Sequence, residues 1–333
     1  MSIYPEMLTP TSRRVAQKLF ILASTLLMTA CAASPLPSFG SDIVIWDSTA
    51  KKIISNEQLI ARSLSVDFVL IGETHDNPVH HRFQNSLLIA MSAMGRRPVL
   101  VMEQFDLEQQ SSIDRAMSAK TDRVDSLRIL RQEMAKGWDW SQYQPLIETA
   151  KDRVLPLKAA NLSRARLQQV SRNGFAALGN GAAARLALDN GWSIAQQKQL
   201  EQDVVDAHCG VLPAQAATPI ANAQRARDAV MADTLLQVRT GPVGATTVAT
   251  AVAIFGRGHV RRDLAVPFYL TARAPHRTAV VIGLIDSIGG QMPDEKAFDD
   301  MAGRYDYLVL TPAVKRKTNP CDGLVMSPLP ATN

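Results

Sequence analysis

The chain of 333 residues is long enough to bury a large core, and with 46% hydrophobic and 20% charged residues it has the balance of a globular protein rather than a disordered or fibrous one. Its formal charge of +5 falls to +3 once the residues before Cys31, which carry Arg13, Arg14 and Lys18 against Glu6, are set aside. So mild an excess, with no aromatic-basic motif beside it, argues against nucleic-acid binding.

Arg13, Arg14 and Lys18 precede an uncharged, largely apolar stretch from Leu19 to Ala30. That stretch is shorter than the ~20 residues of a membrane-spanning helix and suits a secretory signal. It ends Leu27-Met28-Thr29-Ala30-Cys31, which resembles a bacterial lipobox with Met28 in place of the usual Leu, Val or Ile. Residues 1–30 are therefore read as a lipoprotein signal peptide, Cys31 as the lipidated residue and 31–41 as a linker. Two or more acyl chains on Cys31 would hold the protein to a membrane. Ala32 stands where an Asp would favour the inner membrane, so the expected location is the outer membrane, facing the periplasm.

Asp42 to Trp46 and Lys51 to Ile54 suggest a small hairpin, and Ser55 with Gln58 a capping box that opens a helix. The apolar run Asp67 to Ile71 reads as a parallel strand buried on both faces. It breaks at Gly72-Glu73-Thr74-His75-Asp76-Asn77-Pro78, and Pro78 opens a helix that carries His80, His81 and Arg82 near its start. A second strand, Pro98 to Met102, runs into Glu103. Leu107 to about Ala150 reads as helical, broken by Gly137-Trp138-Asp139-Trp140-Ser141-Gln142-Tyr143. A strand at Val154 to Leu157 leads to Asn161. From about 162 to 240 helical signals dominate, with a loop expected at Ala214 to Pro219. Thr246 to Phe255 is another buried strand, ending Gly256-Arg257-Gly258-His259. A short helix follows, then strands Thr278 to Ile285 and Tyr307 to Thr311. The fold expected is α/β: a mostly parallel sheet flanked by helices, in a domain at 42–315 with a helical insertion at about 162–240 and a tail at 316–333.

Four strand ends thus deliver Glu73 with His75, Glu103, Asn161 and His259. Ligands of open α/β sheets bind beyond the carboxyl ends of the strands, so parallel strands would gather these groups on one rim. Apart from Cys31, the cysteines are Cys209 and Cys321. In an oxidising compartment that isolated pair reads as one disulfide.

The combination of Gly72-Glu73-Thr74-His75-Asp76-Asn77-Pro78 with His80-His81, the Glu103 strand end, Trp138/Trp140/Tyr143 and Gly258-His259 with Arg261-Arg262 resembles the ChaN-type haem-binding lipoproteins of the wider TIKI/TraB-like group. The resemblance implies an α/β fold, a lipid anchor and haem binding in bacterial iron uptake, with a haem receptor or transporter as partner. Whether the chain forms a homodimer is left open.

Haem requires an axial ligand, which Tyr143, Tyr269, His80 or His81 would supply, and cations for its propionates, for which Arg82, Arg261 and Arg262 are candidates. The rival is a metal-dependent hydrolase in which Glu73, His75, Glu103 and His259 hold a divalent ion and one Glu serves as general base. A third reading makes the same residues a purely structural network. Haem binding is preferred to both, and to an enzymatic role.

Overall fold

The structure, a computed structural model, describes residues 39–239, 250–287, 294–315 and 321–322. All of these belong to the unit Pro37–Asn333. Cys31, the signal segment and most of the tail lie outside the described residues, as does the stretch 246–249 of one expected strand.

The chain opens with the hairpin β1 (Val44–Asp47) and β2 (Lys52–Ile54), followed by helix α1 (Asn56–Leu64), whose capping box forms as expected between Ser55 and Gln58. Strand β3 (Phe68–Glu73) is buried along its whole length. Helix α2 (Pro78–Ala93) starts where Asn77 accepts from the Val79 N–H and Pro78 occupies the first turn, where it needs no donor. Strand β4 (Val99–Asp106) leads to α3 (Gln110–Met117), α4 (Arg123–Glu133) and α5 (Trp140–Asp152).

Strand β5 (Leu157–Asn161) begins three residues later than the sequence suggests. Val154 has a left-handed φ of 55° and closes the turn after α5, so it cannot also start a strand. The helical region comprises α6 (Arg164–Asn173), α7 (Ala182–Arg185), α8 (Ile194–Ala207) and α9 (Ala214–Arg239). The loop expected at Ala214 to Pro219 is the first turns of α9. Pro219 removes a single helical donor there, while Ala216, Ala217 and Ala221 pack against Leu200, Val204 and Leu212. Strand β6 (Ala251–Gly256), helix α10 (Val266–Arg273), strand β7 (Ala279–Ser287), helix α11 (Glu295–Ala302) and strand β8 (Tyr307–Pro312) complete the order. Helix α11, capped by Asp294, has no counterpart in the sequence reading.

The eight strands form one sheet in the order β2-β1-β8-β7-β3-β6-β4-β5. β3 to β8 run parallel; β1 lies antiparallel beside β8 and β2. The four strands expected to carry functional ends, β3, β6, β4 and β5, are therefore adjacent. Alternation then assigns faces. Phe68 and Leu70 of β3, Val99 and Val101 of β4, and Ala253 and Phe255 of β6 join one core with Ala226, Ala229 and Leu235 of α9 and with Tyr269 of α10. Small residues on α9 let it lie close to the sheet. The alternate positions of β3 face α2 and α5. Each fully buried Val, Leu, Ile or Phe contributes roughly 1.5–3 kcal/mol, so this central strand is strongly held. Among the described residues no helix is long and apolar enough to cross a membrane.

Candidate functional site

The period of two along the strands sets the site. Glu73 continues the Val69/Ile71 face and meets α2 and α5; Glu103 continues the Val99/Val101 face and meets the loop after β6. The two carboxylates approach each other across the end of β6, where Glu73 pairs in register with Gly256. The Gly256 N–H donates to Glu103 Oε1 at 2.6 Å. A Cβ at Gly256 would lie 2.8 Å from His75 Cε1, so only a residue without one leaves room for this imidazole. Gly72 has the same role beneath the loop after β6, because its Cβ would stand 2.3 Å from a methyl of Val260 and 2.9 Å from the Arg257 Cα.

Glu73 is buried and fully engaged. Oε1 accepts from the Tyr143 hydroxyl at 2.5 Å, from His75 Nδ1 at 3.0 Å and from Gln104 Nε2 at 3.3 Å, and Oε2 accepts from Gln84 Nε2 at 2.6 Å. His81 Nδ1 stands 3.3 Å from Oε2 but makes no aligned hydrogen bond there. Burial alone would raise the Glu73 pKa. The His75 hydrogen bond and the close approach and charge of His75 and His81 outweigh it and hold the carboxyl below its ordinary range.

His75 is half-exposed and opens onto a cleft of about 900 Å³ that it lines with Glu103, Asp106, Trp138, Arg227 and His259. Burial lowers its pKa, but the Glu73 hydrogen bond and the charges of Glu103, Glu73 and Asp76 prevail and raise it. Trp138 meets the ring edge-on, with centroids 4.7 Å apart. One ligand atom each from Glu73, His75 and Glu103 fall within 4.8 Å of one another. His259 is buried, with Nε2 3.5 Å from Glu103 Oε2 and Nδ1 against the Asp228 carboxyl and 3.0 Å from the Gln224 amide. Burial takes the His259 pKa down to about 4, against the pull of Glu103 and with help from Arg227 and His75. Burial pushes Asp228 well above the carboxylate range, although Arg227 and Arg261 oppose it. Burial thus disfavours charge on both members of this pair.

Glu73, His75, Glu103 and His259 thus come together, and Asn161 lies in the same cleft. The other candidates do not line the cleft. Tyr143 is buried with its hydroxyl on Glu73. Burial and the Glu73 charge raise its pKa, so this phenol is held protonated rather than offered as a phenolate. Tyr269 stacks on Trp192 with centroids 6.3 Å apart, and burial raises its pKa to about 12. His80 accepts from the Thr74 N–H and meets Thr311 and Asp286, which fixes the loop rather than facing the cleft. His81 Nε2 donates to the His75 carbonyl at 3.1 Å. Arg261 pairs with Asp203 and Asp263, Arg262 with Asp306, and exposed Arg82 is not among the residues that line the cleft. Cys209 and Cys321 are joined as a disulfide, their Cα atoms 5.7 Å apart.

The sequence reading missed Gln84, Gln104, Gln224, Arg227 and Asp228. Gln104 follows Glu103 on a strand and is the one that alternation could have found. Gln224, Arg227 and Asp228 lie on α9, whose approach to the β6 end is not encoded in any local pattern.

A parallel-sheet α/β protein with a carboxylate–imidazole cluster at the strand ends is the class that this fold and site define. The chain belongs to the family described as haem-binding uptake, Tiki superfamily, ChaN, whose profile matches residues 59–270. No curated protein matches the sequence. Among solved structures, one titled for cofacial haem binding to ChaN of Campylobacter jejuni is similar at 20% identity and a TM-score of 0.64, covering 83% of this chain and 98% of that one. It shares the fold. A succinoglycan biosynthesis protein (8% identity, TM-score 0.47, covering 77% of this chain and 90% of that one) and a mutant of the erythromycin esterase EreC (12%, 0.43, 83% and 98%) are more distant.

Proposed function

We propose that this chain binds haem in the cleft over the β6 end, with His75 as the iron ligand, as part of bacterial iron or haem uptake. The observation that carries the assignment is the contact of His75 Nδ1 with Glu73 at 3.0 Å. An anionic carboxylate can only accept, so Nδ1 carries a proton, and it is in the neutral ring that Nε2 offers its lone pair to iron, in competition with the proton that the neighbouring carboxylates favour. Ligating histidines are held in this way by an outer carboxylate that fixes tautomer and ring orientation. Tyr143, bonded to the same carboxylate, then supports His75 and does not itself ligate. Trp138 and the apolar side chains of Met134, Leu162 and Leu167 supply wall for a flat macrocycle. Bound haem would supply an iron centre that takes an imidazole ligand; the protein holds, orients and shields it.

The divalent-metal hydrolase is the weaker reading because Glu73 already accepts from Tyr143, His75, Gln104 and Gln84. A cation would have to displace buried donors to reach it. The lipobox-like Cys31 supports attachment to the outer membrane with the domain in the periplasm, and the Cys209–Cys321 disulfide suits that oxidising compartment. Cys31→Ser should shift the protein from the membrane to the soluble fraction of cells; unchanged membrane association would remove the anchor from the account. Haemin titrated into the apoprotein should give a saturable Soret band. A linear, unsaturating response would overturn the haem reading.

A further inference from the structure

Helix α9 presents Gln224, Arg227 and Asp228 at spacings of three and four, which puts them on one face above the cleft. Gln224 and Asp228 hold His259. Arg227 does something else: it lines the cleft, and its Nε is buried without a hydrogen-bond partner. Among the described residues no carboxylate stands within ion-pair distance of it, whereas Arg225, Arg261 and Arg262 are all engaged. On the same cleft wall Asn161 donates to Asp106 at 3.1 Å and leaves its own Oδ1 buried and unpaired. Exposed Arg164 and Lys136 stand at the mouth. A buried donor left unmade is costly, and a guanidinium is shaped to take a carboxylate through two parallel hydrogen bonds.

We propose that Arg227 is the carboxylate-binding residue of this cleft and receives an acidic edge of the ligand. The inference rests on the haem reading for the ligand's identity, in which the acidic edge is a propionate. Arg227 takes the role for which Arg82, Arg261 and Arg262 were the sequence-level candidates. Asp106 and Glu103 share the cleft, so the subsite discriminates: an anion gains there only where it reaches the guanidinium.

Three probes separate the claims: haemin, iron-free protoporphyrin and the dimethyl ester of that protoporphyrin, each titrated by quenching of tryptophan fluorescence. The wild-type chain should bind the iron-free diacid roughly tenfold or more tightly than the ester. Arg227→Gln should weaken haemin and the diacid by a similar factor and leave the ester unchanged. Arg227→Lys, which keeps the charge but not the fork, should fall between. Equal binding of diacid and ester by the wild-type chain would overturn the proposal without any variant. So would equal losses for diacid and ester in Arg227→Gln, which would mean a packing role. Arg227-dependent binding of the diacid with no binding of haemin would overturn the haem reading alone. Binding of none of the three would overturn both.

Discussion

Glu73 and His75 act as a unit: a carboxylate saturated by donors fixes the imidazole that faces the cleft. The two glycines beneath them differ in what a methyl would strike. At Gly256 the nearest atoms belong to the half-exposed His75 ring, which can swing away. At Gly72 they include the Arg257 backbone. Gly256→Ala should therefore leave the fold nearly as stable while weakening haem binding by tenfold or more, since His75 loses its aim. Gly72→Ala should destabilise the fold by about 1–3 kcal/mol through overpacking. Thermal unfolding and haemin titration of the two variants check this. A destabilised Gly256→Ala with unaltered affinity would contradict the role given to that glycine.

At the scale of elements, α9 is what completes the site, because it carries the carboxyl that holds His259. The pair has a pH signature. His259, lowered to about 4 from 6.5, makes stability rise with pH across that window, because the unfolded chain binds the proton that the folded one refuses. Asp228, raised from 3.8, works in the opposite sense, since the folded chain keeps a proton that the unfolded one releases. Between about pH 4 and 6.5 the two oppose each other, so the Asp228 contribution flattens the rise that His259 alone would give. Asp228→Asn removes that contribution. The variant should instead lose stability as pH drops below 6.5, by up to about 1.4 kcal/mol per pH unit. Denaturant unfolding across this range would show the changed slope, and parallel profiles for variant and wild type would refute the pairing.

The strands and the Glu73, His75, Glu103 and His259 ends were legible because each buried strand is a continuous apolar run broken by glycine or by a charge. Alternation along those runs fixes which side of the sheet each end serves. What local pattern could not give was contact between distant elements. Tyr143 stands in an aromatic segment that suggests a flat ligand, yet α5 turns its hydroxyl inward to Glu73. Arg261 and Arg262 look like free cations until Asp203, Asp263 and Asp306 are brought beside them. Val154 has strand propensity but is consumed by the turn that ends α5.

For the molecule as a whole, adjacency of β3, β6, β4 and β5 turns four separated sequence motifs into one rim, and the helical region covers it. The disulfide joins residues 112 apart in sequence, linking the end of α8 to the chain beyond β8. Membership of the haem-binding uptake family supports haem as the ligand, and the proposal for this cleft is that an imidazole held by a buried carboxylate meets the iron. The most direct test compares the absorption spectra of the haem complexes of the wild-type chain, His75→Ala and Tyr143→Phe. The account predicts that Tyr143→Phe keeps the wild-type ligand signature and that His75→Ala loses it. A signature that survives His75→Ala and vanishes in Tyr143→Phe would contradict it.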